Sequence, residues 1–306
     1  MAKPTKIHFI SMGVRCCGNY YEPNDSAKTN KKSKYCIVMA HGLAGVKEMR
    51  LDAYAEMFSK SGYRVLVFDY RHFGESDGLP RQLLDIKSQH QDWLSAVEYV
   101  VNEKNVTMEG IILWGSSLSG GHVMEIASKL PSIAAVISQV PHVNGIASAM
   151  ATDTLTSLRL TGLAIRDYIG SLLGKPPVYV SASGQPGELA LMTAAGEAHG
   201  YSSLVPEKLK FDQRVAARFV LQMSQYNPGR RLKELTMPTL VQVGLKDVTT
   251  PPKATIKYAN KATSATLKTY DLGHFEPYVE PAFSKFVADQ ISFLDKVTNS
   301  SPDTLD

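Results

Sequence analysis

The segment Leu113-Trp114-Gly115-Ser116-Ser117-Leu118-Ser119-Gly120-Gly121 places a serine between compact residues two positions away on either side. It follows an apolar run, Gly110 to Leu113, and precedes a helix-compatible stretch that stops at Pro131. A strand that passes into a helix through Gly-x-Ser-x-small makes an elbow so tight that only small neighbours fit, and one hydroxyl is left at its tip. Ser117 is that hydroxyl. Ser119 stands where glycine is commoner, but it is still compact. A serine at the start of a helix also faces backbone N–H groups without helical partners, and these favour a developing negative charge. The alternative is an ordinary Gly/Ser-rich turn.

A serine hydroxyl needs a base to take its proton and a third group to orient that base. Two later segments supply them. In Leu240-Val241-Gln242-Val243-Gly244-Leu245-Lys246-Asp247 the apolar run ends at Gly244, which puts Asp247 in the loop beyond. In Tyr270-Asp271-Leu272-Gly273-His274-Phe275 a glycine precedes a histidine, just past another apolar run. Taken singly, Asp247 reads as a turn aspartate and His274 as a solvated loop histidine. Together, the order Ser117, Asp247, His274 is that of one arrangement of nucleophile, acid and base. Asp271 is a rival acid, but it lies only three residues before His274 and still belongs to the strand, so Asp247 ranks above it. The oxyanion of a tetrahedral intermediate needs backbone donors. Leu118 N–H, next to the nucleophile, is one; Leu43 N–H, in His41-Gly42-Leu43-Ala44-Gly45, is the second.

Other polar residues are given lesser roles. His41 reads as bracing its loop, as do Asp69 and Arg71 in theirs. His142, just past Pro141, is a candidate for the pocket wall, whereas His122 reads as packing or surface. Trp93 and Trp114 read as core aromatics. The histidines lack the spacing and accompanying acids of a zinc site, and neither metal nor cofactor is expected.

These residues need a scaffold that brings strand ends together. Eight runs have strand character: 7–14, 18–22, 35–40, 64–69, 110–113, 133–139, 239–244 and 265–271, the first two as a hairpin. Helical patterns lie between them at 47–61, 86–104, 118–130, 252–260 and 281–297. Such alternation predicts an α/β fold: a mostly parallel eight-stranded sheet with helices on both faces and its ligand site at the carboxyl ends of the strands. Between Gln139 and Pro238 the rhythm breaks. Helical pieces at 144–173 and 207–226 flank a Gly/Pro/Ser-rich section, 174–200, which reads as a helical cap with mobile connections overhanging the site. The domain reading is therefore core at 1–140, cap insertion at 141–235 and core again at 236–306.

Composition narrows the partners. The 306 residues carry 33 Lys and Arg against 29 Asp and Glu, a net charge of +4. The lysines Lys28, Lys31, Lys32 and Lys34 sit beside Asn24, Asp25 and Ser26, as in a solvated loop, so nucleic acid is not an expected partner. No run approaches the roughly 18 apolar residues of a membrane span. Cys16, Cys17 and Cys36 form neither a disulfide framework nor a metal pattern, and no signal peptide opens the chain; a cytoplasmic location is the expectation. No coiled-coil heptad or exposed apolar helix stands out, so the oligomeric state stays open.

The segments His41-Gly42-Leu43, Gly115-x-Ser117-x-Ser119-Gly120-Gly121, Gly244-x-x-Asp247 and Gly273-His274-Phe275 resemble the α/β-hydrolase superfamily, over about residues 7–297. His41 to Glu48 and Phe68 to Ser76 are similar to its dienelactone-hydrolase-like branch, and within it to fungal hydrolases and acyltransferases of polyketide biosynthesis. The resemblance implies a hydrophobic small-molecule acyl substrate: an ester, a lactone or a thioester. The expected enzyme is a serine hydrolase working through an acyl-enzyme. An acyltransferase using the same three residues, a cyclase or lyase, and a binding protein on the same fold are the alternatives.

Overall fold

The computed structural model describes residues 4–23, 31–149 and 153–300. Lys28, with Asn24, Asp25 and Ser26, lies outside them. The chain opens with a hairpin, β1 (Thr5–Ser11) and β2 (Val14–Tyr21). The first strand stops short of Val14 because Met12 and Gly13 both take positive φ, the geometry of a two-residue hairpin turn. There follow β3 (Cys36–Ala40), α1 (Leu51–Lys60), β4 (Arg64–Phe68), α2 (Ile86–Lys104), β5 (Ile111–Ser116), α3 (Leu118–Ala127) and β6 (Ala135–Gln139). Asp85 caps α2, its carboxylate accepting from Ser88 N–H at 2.8 Å.

The strands form one sheet in the order β1-β2-β4-β3-β5-β6-β10-β11, with β10 at Thr239–Gly244 and β11 at Ala265–Tyr270. All neighbours from β4 to β11 are parallel; the hairpin and the β2–β4 pair are antiparallel. β3, β5, β6 and β10 are buried along their whole length. That is why they read as unbroken apolar runs rather than alternating ones. Register pairs Met39 with Trp114 and Ala40 with Phe68, so Trp114 and Phe68 point to opposite faces. Tyr54 of α1 and Gln290 of α9 (Ala282–Ser300) meet Trp114, while Trp93 of α2 stacks edge-on against Phe68. Helices therefore cover both faces, and both tryptophans are core. α8 (Pro252–Ala259) packs beside β10 and β11.

Between β6 and β10 the chain builds α4 (Gly145–Ala149), α5 (Thr154–Leu172), β7 (Tyr179–Ser183), β8 (Ala190–Met192), α6 (Glu197–Ser203), β9 (Arg214–Ala216) and α7 (Phe219–Met223). The expectation of helices alone is corrected here. β7, β8 and β9 form a second, three-stranded sheet in the order β8-β7-β9, and helix in the expected stretch 207–226 is confined to α7. Three-residue strands are too short to show a period of two, so composition masks them. Asp167 of α5 ties this segment together: its carboxylate accepts from Val178 N–H, Arg218 N–H and the Arg218 guanidinium at 2.7–3.0 Å. A second correction concerns α5 itself, whose outer face is apolar and exposed. Among the described residues, no helix is long and apolar enough to cross a membrane.

Candidate active site

Sheet order reverses at β3: the chain steps from β3 to β4 on one side and then returns to place β5 on the other. Such a switch point opens a crevice beyond the strand ends. Register pairs Ala40 with Gly115, so Gly42 comes level with Ser117. A Cβ built on Gly42 would lie 2.9 Å from the Ser117 Cβ and 3.1 Å from the Ser116 carbonyl oxygen. Only glycine leaves room for the two loops to approach.

Ser117 itself has φ 57° and ψ −122°, a conformation non-glycine residues rarely adopt. Its neighbours enforce it. Ser117 N–H donates to the Gln139 carbonyl at 3.0 Å, and the Ser117 carbonyl accepts from His142 N–H at 2.9 Å. A Cβ on Gly115 would collide with the Ser119 carbonyl oxygen. Ser119 is more than a compact filler: its hydroxyl hydrogen-bonds the buried Tyr70 hydroxyl, which also accepts from Trp93 Nε1 at 2.8 Å.

From the side of the sheet away from β3, two more loops meet Ser117. The loops after β10 and β11, adjacent parallel strands, carry Asp247 and His274. His274 Nε2 lies 2.9 Å from Ser117 Oγ, and His274 Nδ1 lies 2.7 Å from Asp247 Oδ2. All three side chains are buried. Asp247 is pinned in turn: Oδ1 accepts from Thr249 N–H (2.9 Å) and Thr250 N–H (2.7 Å), and Oδ2 from the Thr250 hydroxyl (2.7 Å). An Nδ1–H held by that carboxylate leaves Nε2 as the lone pair facing the serine. Asp271 is elsewhere, exposed and paired with Lys246 at the surface.

Leu43 and Leu118, the two candidate backbone donors, border the same cavity as Ser117. Leu118 opens α3, so its N–H has no partner within the helix. Leu43 follows Gly42, and among the described residues no acceptor takes its N–H. Behind this loop His41 is buried against Tyr70 and Phe73, its Nδ1 3.0 Å from the Gly42 carbonyl; burial lowers its pKa to about 4. Asp69 accepts from Lys47 N–H and Nζ and from Glu75 N–H at 2.8–3.0 Å, fixing the loops after β3 and β4. Burial opposes ionisation of Glu75, but hydrogen bonds from Lys47 and Lys6 carry its pKa down to about 2. Arg71 pairs with buried Asp92 at 2.7–2.8 Å.

A cavity of about 450 Å³ opens on Ser117, walled by Leu118, Leu160, Leu191, Phe219 and Met223 and by His142, Ser148 and Glu197. A far smaller space, about 30 Å³, adjoins Ser117 between Gly42, Tyr201, His274 and Phe275. His142 packs parallel to Tyr226 with Nδ1 3.1 Å from the Ser148 hydroxyl, and burial holds its pKa at about 4. His122 is buried beneath, bonded to Tyr226 and Gln89. A groove of about 550 Å³ beside Met57, Val287 and Ile291 contains none of these residues.

Sequence reasoning missed α6. Glu197 accepts from the Thr249 hydroxyl and, at 2.5 Å, from Ala194 N–H. Tyr201 donates to the Leu43 carbonyl at 3.2 Å, and its ring meets Phe275 edge-on. One short helix thus touches the loops carrying Leu43, Asp247 and His274. The only signal was the spacing of Glu197, Gly200 and Tyr201, which shares one helix face.

The sequence profile of the serine aminopeptidase, S33 family (Hydrolase_4) matches residues 31–282. The chain belongs to this hydrolase family. Among relatives, this S33 family member is 43% identical over 294 residues to the quorum-quenching protein AidA of Acinetobacter baumannii, covering 96% of this chain and 95% of that one. It is 40% identical over 140 residues to thiohydrolase aneE of Aspergillus aculeatus, covering 45% and 41%. Its fold matches the crystal structure of the alpha/beta hydrolase GrgF from Penicillium sp. sh18 with a TM-score of 0.82, at 18% identity and over 97% and 100% of the chains. The fold is that of the α/β hydrolases, as the motifs imply.

Proposed function

We propose that this S33 family member hydrolyses an ester, lactone or thioester of a hydrophobic acyl compound through an acyl-enzyme. Ser117 attacks the carbonyl while His274 takes its proton, and Asp247 holds the imidazole in the tautomer that can accept it. Leu43 and Leu118 N–H groups stabilise the oxyanion. His274 then protonates the leaving alcohol or thiol and activates the water that releases the acid. The observation that carries this reading is the Ser117–His274–Asp247 hydrogen-bonded series at 2.9 and 2.7 Å beside a cavity with aliphatic walls.

The two spaces flanking Ser117 favour water over a larger acceptor. The cavity accommodates an acyl chain, with His142 in its wall, and the space of about 30 Å³ beside His274 is large enough for a water. A lactone suits this shape, because its leaving oxygen stays tethered to the acyl part and needs no second pocket. The 43% identical relative is named a quorum-quenching protein and the other a thiohydrolase, and the second name accords with a hydrolytic reading.

The test is wild type beside Ser117→Ala on p-nitrophenyl esters of rising chain length, an acyl thioester and an alkyl γ-lactone. A fluorophosphonate probe and mass spectrometry of acyl products complete it. Free acid formed only by wild type, with labelling at Ser117, is the expected result. Transfer to added alcohol in preference to water would make the protein an acyltransferase. Turnover that survives Ser117→Ala would refute the mechanism, and no labelling would favour a lyase or binding role.

A further inference from the structure

α5 is buried on one face and apolar on the other. Its inner face, Thr156, Leu160, Ala164 and Asp167, is buried in the cap, and Leu160 walls the cavity. Its outer face repeats Leu155, Leu158, Gly162, Ile165, Ile169 and Leu172, at spacings of three, four, three, four and three. The five large residues are 58%, 66%, 47%, 51% and 69% exposed. An amphipathic surface helix points such a stripe inward; here it points to solvent. The strict three-four alternation is the seam that one helix presents to another, narrower than the face a helix lays on a core.

We propose that this seam pairs with the same seam of a second copy, making the protein a homodimer through α5. Three observations select a second copy. The first is area: the five side chains expose on the order of 500 Å² of contiguous apolar surface, in the upper part of the range of the largest patch on a soluble protein, a size that often marks an interaction site. Two such faces bury about 1,000 Å² before their polar margins are counted, the threshold for a specific interface. The second is Gly162, at the middle of the stripe, where an added Cβ would meet nothing within 4 Å. A glycine there lets a partner backbone approach closely and offers a lipid surface nothing. The third is charge. Arg159 and Arg166 border one edge of the seam, and Thr161 and Tyr168 the other. Parallel helices set the arginine edge of each copy against the Thr/Tyr edge of its partner, without like-charge conflict. A membrane-surface helix would carry basic residues broadly over its polar face. Pairing would also hold the helix that roofs the cavity.

The experiment is sedimentation of the full chain from 0.1 to 50 μM, beside Leu158→Glu and, separately, Ile169→Gln, with circular dichroism and hydrolysis of a short p-nitrophenyl ester recorded for each. Neither residue lines the cavity. Wild type should sediment as a dimer at the upper concentrations. Leu158→Glu should weaken association about 100-fold, because a carboxylate cannot enter an apolar seam unpaired, and Ile169→Gln should weaken it less, both with unchanged spectra. Anionic vesicles test the other occupant by flotation. A monomer throughout the range, a dimer that Leu158→Glu leaves intact, or a monomer that floats with vesicles through this face would each overturn the proposal.

Discussion

Gly42→Ala probes whether the contact between two loops, rather than the chemistry of any side chain, sets the rate. Gly42 does not take a positive φ, so alanine is allowed by the backbone, and the effect comes from contact alone. The new methyl would lie 2.9 Å from the Ser117 Cβ and 3.1 Å from the Ser116 carbonyl oxygen, both held in the elbow. Ordinary carbon contacts need about 3.5–4.0 Å, so the loops must separate by about 0.5–1 Å. Leu43 N–H moves with that loop. Displacing a donor by such a distance, or losing it, costs about 10²–10³ in kcat, or about 3–4 kcal/mol of transition-state stabilisation. The cavity contacts to the acyl chain lie elsewhere, so KM should change by no more than a few-fold. The assay is steady-state hydrolysis of p-nitrophenyl butyrate with thermal melting alongside. A variant that melts like wild type and keeps kcat within about threefold would show that Leu43 is not a donor and that the Gly42 contact is incidental.

Three other perturbations separate neighbouring roles. Asp247→Asn should lower kcat about 10⁴-fold, as expected when a base is left in the wrong tautomer, whereas Asp271→Asn, at an exposed pair, should stay within about twofold; the reverse order in initial rates would transfer the acid's role to Asp271. Tyr201→Phe removes the 3.2 Å bond to the Leu43 carbonyl and should cost about 1 kcal/mol, near fivefold in kcat, with melting little changed; a rate equal to wild type would uncouple α6 from the oxyanion loop. Acid should unfold the protein early: burial holds His41, His90 and His142 near pKa 4 in the fold, against about 6.5 unfolded. The unfolded chain then binds protons first as pH falls below 6.5, so stability is flat above that and drops about 1.4 kcal/mol per unit for each histidine down to pH 4. At pH 5 the three together lose about 6 kcal/mol, and a urea midpoint unchanged from pH 7 to 5 would contradict this.

What could be read from the sequence follows from how local each constraint is. The β5–α3 elbow was legible because the steric demand at Gly115, Ser117 and Ser119 is met within five residues. The inner parallel strands, β3, β5, β6 and β10, were legible because they are buried along their whole length and composition alone marks them. Asp247 and His274 came from chain order and from each standing just past an apolar run. The cap was not legible in this way. β8 and β9 hold three residues each and pair with β7 only across intervening loops, so no local pattern betrays them. The hydroxyl of Ser119 looked like a substitute for glycine; its bond to Tyr70 depends on a residue 49 positions away. The α5 stripe was present as a heptad in the sequence, yet Leu160 and Ala164 on the buried face blur its period, and only burial separates the two faces.

This division has a consequence for where specificity can vary. Ser117, Asp247 and His274 hang from strand ends whose positions are over-determined by the sheet, the buried glutamines beneath the elbow included: Gln290 donates to Gln139 and Gln242, and accepts from Trp114. The cavity walls come mainly from α5, β8 and α7; Asp167 and Arg218 join α5 to α7, and α6 reaches the loops of the core. Substitutions at Leu160, Leu191 or Phe219 therefore alter volume beside a fixed nucleophile, at a cost of about 3–5 kcal/mol for truncating the phenylalanine and less for a swap that conserves volume. Substitutions at Glu197 or Tyr201 act differently, because they change how the cap is held against the loops that do chemistry. If the site works as proposed, Phe219→Leu should shift the preferred acyl length with kcat for the best substrate kept within about tenfold, while Tyr201→Phe should lower kcat for every length alike. A chain-length profile that moves in parallel for both variants would mean that the cap acts as one body, and that pocket size and alignment of the site cannot be tuned separately.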